Sequence, residues 1–179
     1  MDKSPATESR TERDYIGEVK IPCNKLYGVN SVRGLDNLLV STQSVGHYPA
    51  FVKAFAQVKW AAALANRDCA VIEASVCDAI AQACKDLIDG KFQDSLIVDL
   101  MEGSGGTSTN MNFNEVIANR AQEILGSPAG SYEVVHPNDH VNRSQSTNDA
   151  YPSAQKIATY EMLAPLIDAV GELAKTFDL

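Results

Sequence analysis

The chain has 179 residues, 45% of them hydrophobic and 21% charged, and its 23 acidic against 15 basic side chains give a net charge of −8. That length suits a single globular unit burying roughly two-thirds of its unfolded surface. The acidic balance argues against a nucleic acid or an anionic membrane as partner, and no apolar run reaches the roughly 18 residues of a membrane span. Met1–Asp14 lacks the apolar stretch of a signal peptide, so a cytoplasmic protein is expected. The four cysteines, Cys23, Cys69, Cys77 and Cys84, form no C-x-x-C pair, and with three histidines they complete no zinc spacing. Four free thiols, no metal and no cofactor are the expectation.

In chain order, Met1–Arg13 shows no apolar periodicity and reads as a disordered or loosely docked arm. Tyr15–Ile21 and Leu26–Val29 read as short extended pieces among turn signals at Pro22, Asn24 and Gly28. Pro49 suits the first turn of a helix carrying Phe51, Val52, Phe55, Val58, Ala62 and Leu64 to about Asn66. A second helix is predicted from about Val71 to Ile88, stopped at Gly90. His47 falls in the loop before the first of these helices and should be exposed, whereas Trp60 should pack.

The glycine-rich turn Gly103-Ser104-Gly105-Gly106 then runs into Thr107-Ser108-Thr109-Asn110 and a helical pattern ending at Gly126. Thr107 or Ser108 is a natural N-cap. The first turn of a helix presents unpaired N–H groups at the positive end of its dipole, and hydroxyls add donors, so an anion is favoured there. A phosphate loop would need a lysine and a dinucleotide fingerprint a third glycine, which here would fall at Ser108. That leaves a carboxylate as the better ligand, with a plain helix cap as the alternative.

A denser polar segment follows from His136 to Asn148, with three asparagines, two histidines, an aspartate, an arginine, a glutamine, a threonine and two serines, and neither lysine nor glutamate. Amides and hydroxyls make directional bonds without net charge, which suits carboxylate oxygens, and Arg143 offers a charged pair. An ordinary solvated loop is the alternative. A last helix is predicted after Pro152, with Ile157, Leu163, Leu166, Ile167, Val170, Leu173, Ala174 and Phe177 on a broad apolar face.

Two long stretches carry a resemblance. Gly105-Gly106-Thr107-Ser108-Thr109-Asn110-Met111-Asn112-Phe113-Asn114-Glu115-Val116-Ile117-Ala118-Asn119-Arg120-Ala121 resembles the first signature region of the aspartase/fumarase superfamily, and His136-Pro137-Asn138-Asp139-His140-Val141-Asn142-Arg143-Ser144-Gln145-Ser146-Thr147-Asn148-Asp149 its second. Gly17–Pro22 and Tyr27-Gly28-Val29 through Asn37 are similar to the family's N-terminal part. The resemblance implies a mainly α fold: an N-terminal lyase domain over 14–148 with short β pieces near its start, and from 149 to 179 the first long helix of a central bundle. It implies that Thr107, Ser108 and Asn110, with Ser146, Thr147 and Asn148, bind substrate, and that His140 and Arg143 are accessory. Histidine at 140, threonine at 147 and Tyr27 fit the branch that eliminates ammonia from L-aspartate to give fumarate. Hydration of fumarate, or a remnant without catalysis, are the alternatives. Glu102 and Gly105 depart from the family's usual residues.

In that family the proton is removed by a serine on a G-S-S-x-x-P-x-K-x-N loop, and a further histidine follows the second region. Neither is found in these 179 residues. The expectation is an N-terminal portion with no catalytic base of its own, inactive alone. It would work as a homo-oligomer, a tetramer by the resemblance, or beside a complementary C-terminal chain.

Overall fold

The computed structural model describes residues 8–177. The arm predicted over 1–13 is corrected where it is described. Ser9–Arg13 forms strand β1, which pairs antiparallel with β2 (Glu18–Pro22), Arg10 opposite Ile21 and Glu12 opposite Val19. The arm lacks apolar periodicity because its anchors are ionic. Arg10 donates to the carbonyls of Pro22, Lys25 and Tyr27 and pairs at 2.9 Å with the buried Glu12. The other residues of the predicted arm, 1–7, lie outside the described residues.

No strand forms over the predicted extended piece Leu26–Val29, and helix α1 (Val29–Asn37) begins at its last residue. Its N-terminus is fixed from a distance. The Glu115 carboxylate accepts the N–H groups of Gly28, Asn30 and Ser31 and the side chains of Asn30 and Ser31, while Glu12 accepts the N–H of Val29. Two acids thus meet the positive end of a helix. No local cap signals such a helix in the sequence, and its side-chain cap is absent.

Helices α2 (Pro49–Asp68) and α3 (Ala74–Ile88) lie where the periodicity put them, and Gly90 ends α3 with φ +83°. Between α1 and α2, Asp99 accepts the N–H groups of Val40, Ser41 and Thr42, tying that loop to the approach to the glycine-rich turn. Helix α4 (Thr107–Ile124) is central and mostly buried. Phe113 on α4 stacks on Phe55 of α2 with centroids 4.2 Å apart, and Phe51 meets Phe55, Phe113 and Tyr151 edge-on. His47 is exposed, Trp60 is partly buried beneath Lys85, and all four cysteines are free, Cys77 and Cys84 buried.

Helix α5 (Thr147–Phe177) begins before Pro152, not after it. Ser146 accepts the N–H of Asn148, and Asp149 accepts that of Ser146, a reciprocal capping box that starts the helix. Pro152 deprives only the carbonyl four residues back, at Asn148, which is exposed to solvent. Ala150, Ala154 and Ala158 are buried in the common core, so the first turns of α5 share it with the preceding domain. Leu163, Leu166, Ile167, Val170, Leu173 and Phe177 are exposed. No helix among the described residues is long and apolar enough to cross a membrane.

Candidate carboxylate-binding site

The glycine-rich turn reaches α4 through two left-handed residues, Gly105 at φ +67° and Gly106 at φ +93°. A β-carbon on Gly106 would lie 2.4 Å from the Tyr151 ring, so glycine lets the turn pass directly under α5. Gly106 itself is the N-cap residue, which corrects the assignment of that place to Thr107 or Ser108. The capping oxygen comes from Ser104, which accepts the N–H of Ser108 at 3.0 Å. Ser104 in turn donates its N–H and hydroxyl to Glu102. The left-handed pair starts the helix early enough that Thr107 and Ser108 fall inside its first turn.

Thr107 and Ser108 border a cavity of about 280 Å³ with Asn30, Arg33 and Asn37 of α1. Thr107 is exposed and Ser108 partly so. Arg33 is paired with Asp14 at 3.1 Å.

In the second polar segment, His136 accepts the N–H groups of Asn138 and Asp139, opening a single π-helical turn, Pro137–Val141. His140 uses Nδ1 to accept the N–H of His136 at 2.9 Å, which places its neutral-form proton on Nε2. Burial pushes its pKa below the ordinary value. His140 and Arg143 line a cleft of about 570 Å³ against Arg67 and Glu73, apart from the residues around Thr107.

The two motifs meet at Asn110. Its amide donates to the Asn142 side-chain oxygen at 3.0 Å and to the Thr147 hydroxyl at 3.1 Å. Beneath them lies Lys59 of α2, 0% exposed, donating to Asn142 Oδ1 at 2.9 Å and Gln145 Oε1 at 3.1 Å. Burial pushes the Lys59 ammonium down to about 7. The Lys59 partners among the described residues are amide oxygens and no carboxylate.

Of the expected binding residues, Asn110 and Thr147 are thus directly joined. Ser146 and Asn148 flank Thr147 at the exposed start of α5, whereas Thr107 and Ser108 face α1 and His140 and Arg143 the other cleft. Sequence reasoning passed over Lys59, Asn142 and Gln145. The available signal was Lys59 itself, four and eight residues after Phe55 and Phe51 and therefore on the apolar row of α2.

The scaffold is mainly helical, and the two polar motifs touch through Asn110, Asn142 and Thr147. A family model described as Lyase matches residues 17–179. The chain is 50% identical over 175 residues to the aspartate ammonia-lyase of Helicobacter pylori strain J99, covering 94% of this chain and 37% of that protein. It is 42% identical over 170 residues to the aspartate ammonia-lyase of Escherichia coli K12, covering 94% of this chain and 36% of that one. Among solved structures it is similar to a fumarate lyase:delta crystallin from Brucella melitensis, with a TM-score of 0.82 and 47% identity over 84% of this chain and 34% of the other. A class II fumarase from Schistosoma mansoni follows with a TM-score of 0.77 and 34% identity, over 84% and 32%. The chain belongs to the lyase family, within the aspartase/fumarase superfamily. It spans little more than a third of the length of these curated relatives.

Proposed function

We propose that this chain supplies the dicarboxylate-holding part of a lyase that eliminates ammonia from L-aspartate to give fumarate. The observation that carries the reading is the Asn110 amide bridging Asn142 and Thr147, which joins two segments distant in sequence. Curated relatives at 42% to 50% identity that are named aspartate ammonia-lyases support ammonia elimination over hydration.

Such an elimination removes a proton from the carbon beside a carboxylate. The resulting dianion is very unfavourable in water, and fixed donors aimed at its oxygens lower its energy. Thr147 is partly buried, Ser146 and Asn148 exposed, and each can turn a hydroxyl or amide donor to a carboxylate without adding net charge. Thr107 and Ser108 offer hydroxyls at the positive end of α4 on its side facing α1, in a cavity separate from Thr147. These groups bind and orient. Removing the proton also needs a base, and the serine loop that supplies it in the family has no counterpart in this sequence.

The test is calorimetric titration of fumarate and L-aspartate into the protein and into Thr147→Val and Asn148→Ala, with L-malate as competitor. Loss of binding in both variants is expected, with the thermal midpoint unchanged in Asn148→Ala and lowered by only a few degrees in Thr147→Val, which gives up its bond from Asn110. Unchanged affinity in both would overturn the reading, and tighter binding of L-malate than of L-aspartate would favour hydration.

A further inference from the structure

Among the described residues Lys59 is the only buried lysine, and its ammonium faces two neutral side-chain amides in place of a carboxylate. A charged group so placed costs several kcal/mol of desolvation that neutral partners repay only in part. A leucine or methionine would fill the row of Phe51 and Phe55 at less cost, so packing alone does not account for a lysine there.

The bonding pattern does account for it. An ammonium has three donors and no acceptor, so any amide beside it must present its oxygen. Asn142 and Gln145 both do. Their nitrogens then point to carbonyls, Asn142 to that of Gln145 at 3.2 Å, and Gln145 to those of Val141 and Arg143 at 2.9 and 3.1 Å. With its oxygen so placed, Asn142 can only accept from Asn110, and the Asn110 nitrogen donates onward to the Thr147 oxygen. Thr147 Oγ1 thereby uses a lone pair inward. Its proton finds no protein acceptor among the described residues and is free to point out. Asn110 Oδ1 is left buried without a partner, which fits an amide whose orientation is dictated from elsewhere.

We propose that Lys59 is a positioning residue of the dicarboxylate site, its ammonium setting the direction of the amide chain so that the Thr147 hydroxyl presents a proton to the ligand. This rests on the reading of Thr147 as a ligand contact. A neutral amine can accept as well as donate, so it no longer forces the amides into one orientation. The titratable group facing Lys59 is Cys84 of α3, whose thiol burial pushes up to about 12 and keeps neutral. The groups facing it from the second motif and α4 are uncharged amides, Asn142, Gln145 and Asn110.

Two readouts should therefore move in opposite directions. The Lys59 pKa is lower folded, about 7, than its ordinary 10.5. Between those values the unfolded chain binds the extra proton, so this group's contribution makes stability rise with pH above 7. Ligand affinity should fall over the same interval, by about tenfold, as loss of a charge-assisted bond implies. A lysine serving the fold alone would raise stability and leave affinity flat.

The experiment measures the Kd of fumarate by calorimetry from pH 6 to 9 for the wild type, Lys59→Arg and Lys59→Met, alongside urea unfolding. The side-chain amide ¹⁵N–¹H signals of Asn110, Asn142 and Gln145 are followed over the same range without ligand. The wild type should lose affinity above pH 7, with the three amide signals shifting at one common midpoint. Lys59→Arg should hold its affinity across the range, and Lys59→Met should show weak, pH-independent binding. If Lys59→Met does not fold, the wild-type and Lys59→Arg profiles decide. Amide signals that do not titrate together, or a Kd flat with pH, would overturn the proposal. If no variant binds fumarate at any pH but the amides still shift together, Lys59 sets the amide chain and it is the dicarboxylate reading that fails.

Discussion

Asn110 on α4 and Thr147 at the first position of α5 are 37 residues apart in sequence and joined by a 3.1 Å bond from amide nitrogen to hydroxyl oxygen. That contact fixes where the second motif sits on the first. Asn110→Ala should cost about 1–2 kcal/mol, because partly buried acceptors on Asn142 and Thr147 lose a donor, Asn142 keeping that of Lys59. In a double-mutant cycle with Thr147→Val, the two changes should be non-additive by about 0.5–1.5 kcal/mol. Urea midpoints at unchanged slope give the values, and strict additivity would show that the bond contributes nothing.

Asp99 should shape the acid side of the stability curve. Against the desolvation of its burial, the Ser41 hydroxyl and the N–H groups of Met101, Ser41 and Val40 hold its carboxyl down to about 2, from an ordinary 3.8. A folded pKa below the unfolded one gives stability that is complete above about 4 and is lost as pH falls toward 2. Asp14, held to about 2 by Arg33, adds to the same limb. Asp99→Asn should therefore remove up to one proton's worth of slope between pH 4 and 2, read as urea midpoints at successive pH values. An unchanged slope would mean that Asp99 is not ionised in the fold.

Helices α2 and α3 were legible in the sequence because their apolar residues recur at helical spacing and proline and glycine mark their ends. The two polar motifs stood out as candidate sites because their residue types are unusual for surface. What was hidden depends on partners far along the chain. Helix α1 is capped by Glu115, more than eighty residues away, and β1 is held by Arg10 on carbonyls. Neither leaves a local pattern. Lys59 sat in plain view as a polar break in an apolar row, but only its neighbours reveal whether such a lysine snorkels outward or lies buried.

The two glycines before α4 are not equivalent. Both have positive φ, but nothing lies within 4 Å of a β-carbon built on Gly105, whereas one on Gly106 would strike the Tyr151 ring. Gly105→Ala should cost about 1–2 kcal/mol for left-handed strain alone. Gly106→Ala adds an overpacking term of about 1–3 kcal/mol and should also displace the start of α5. Equal urea midpoints for the two variants would show that Tyr151 yields freely.

The far part of α5 should make this chain self-associate. Beyond Ala158 no residue of the helix is buried, and Leu166, Ile167, Val170 and Leu173 are each more than half exposed. Each large apolar side chain left in water forgoes about 1.5–3 kcal/mol of burial, and a contiguous stripe of them is the kind of surface that recruits another chain. A second copy presents the same stripe. Sedimentation velocity should show the 179-residue protein shifting to larger species as its concentration rises. Leu166→Glu with Leu173→Glu should leave the fold's stability within about 0.5 kcal/mol, since both positions are already exposed, and should hold the protein as a monomer. A wild-type chain that stays monomeric at every concentration would show that the stripe is too mobile or too poorly matched to pair with itself.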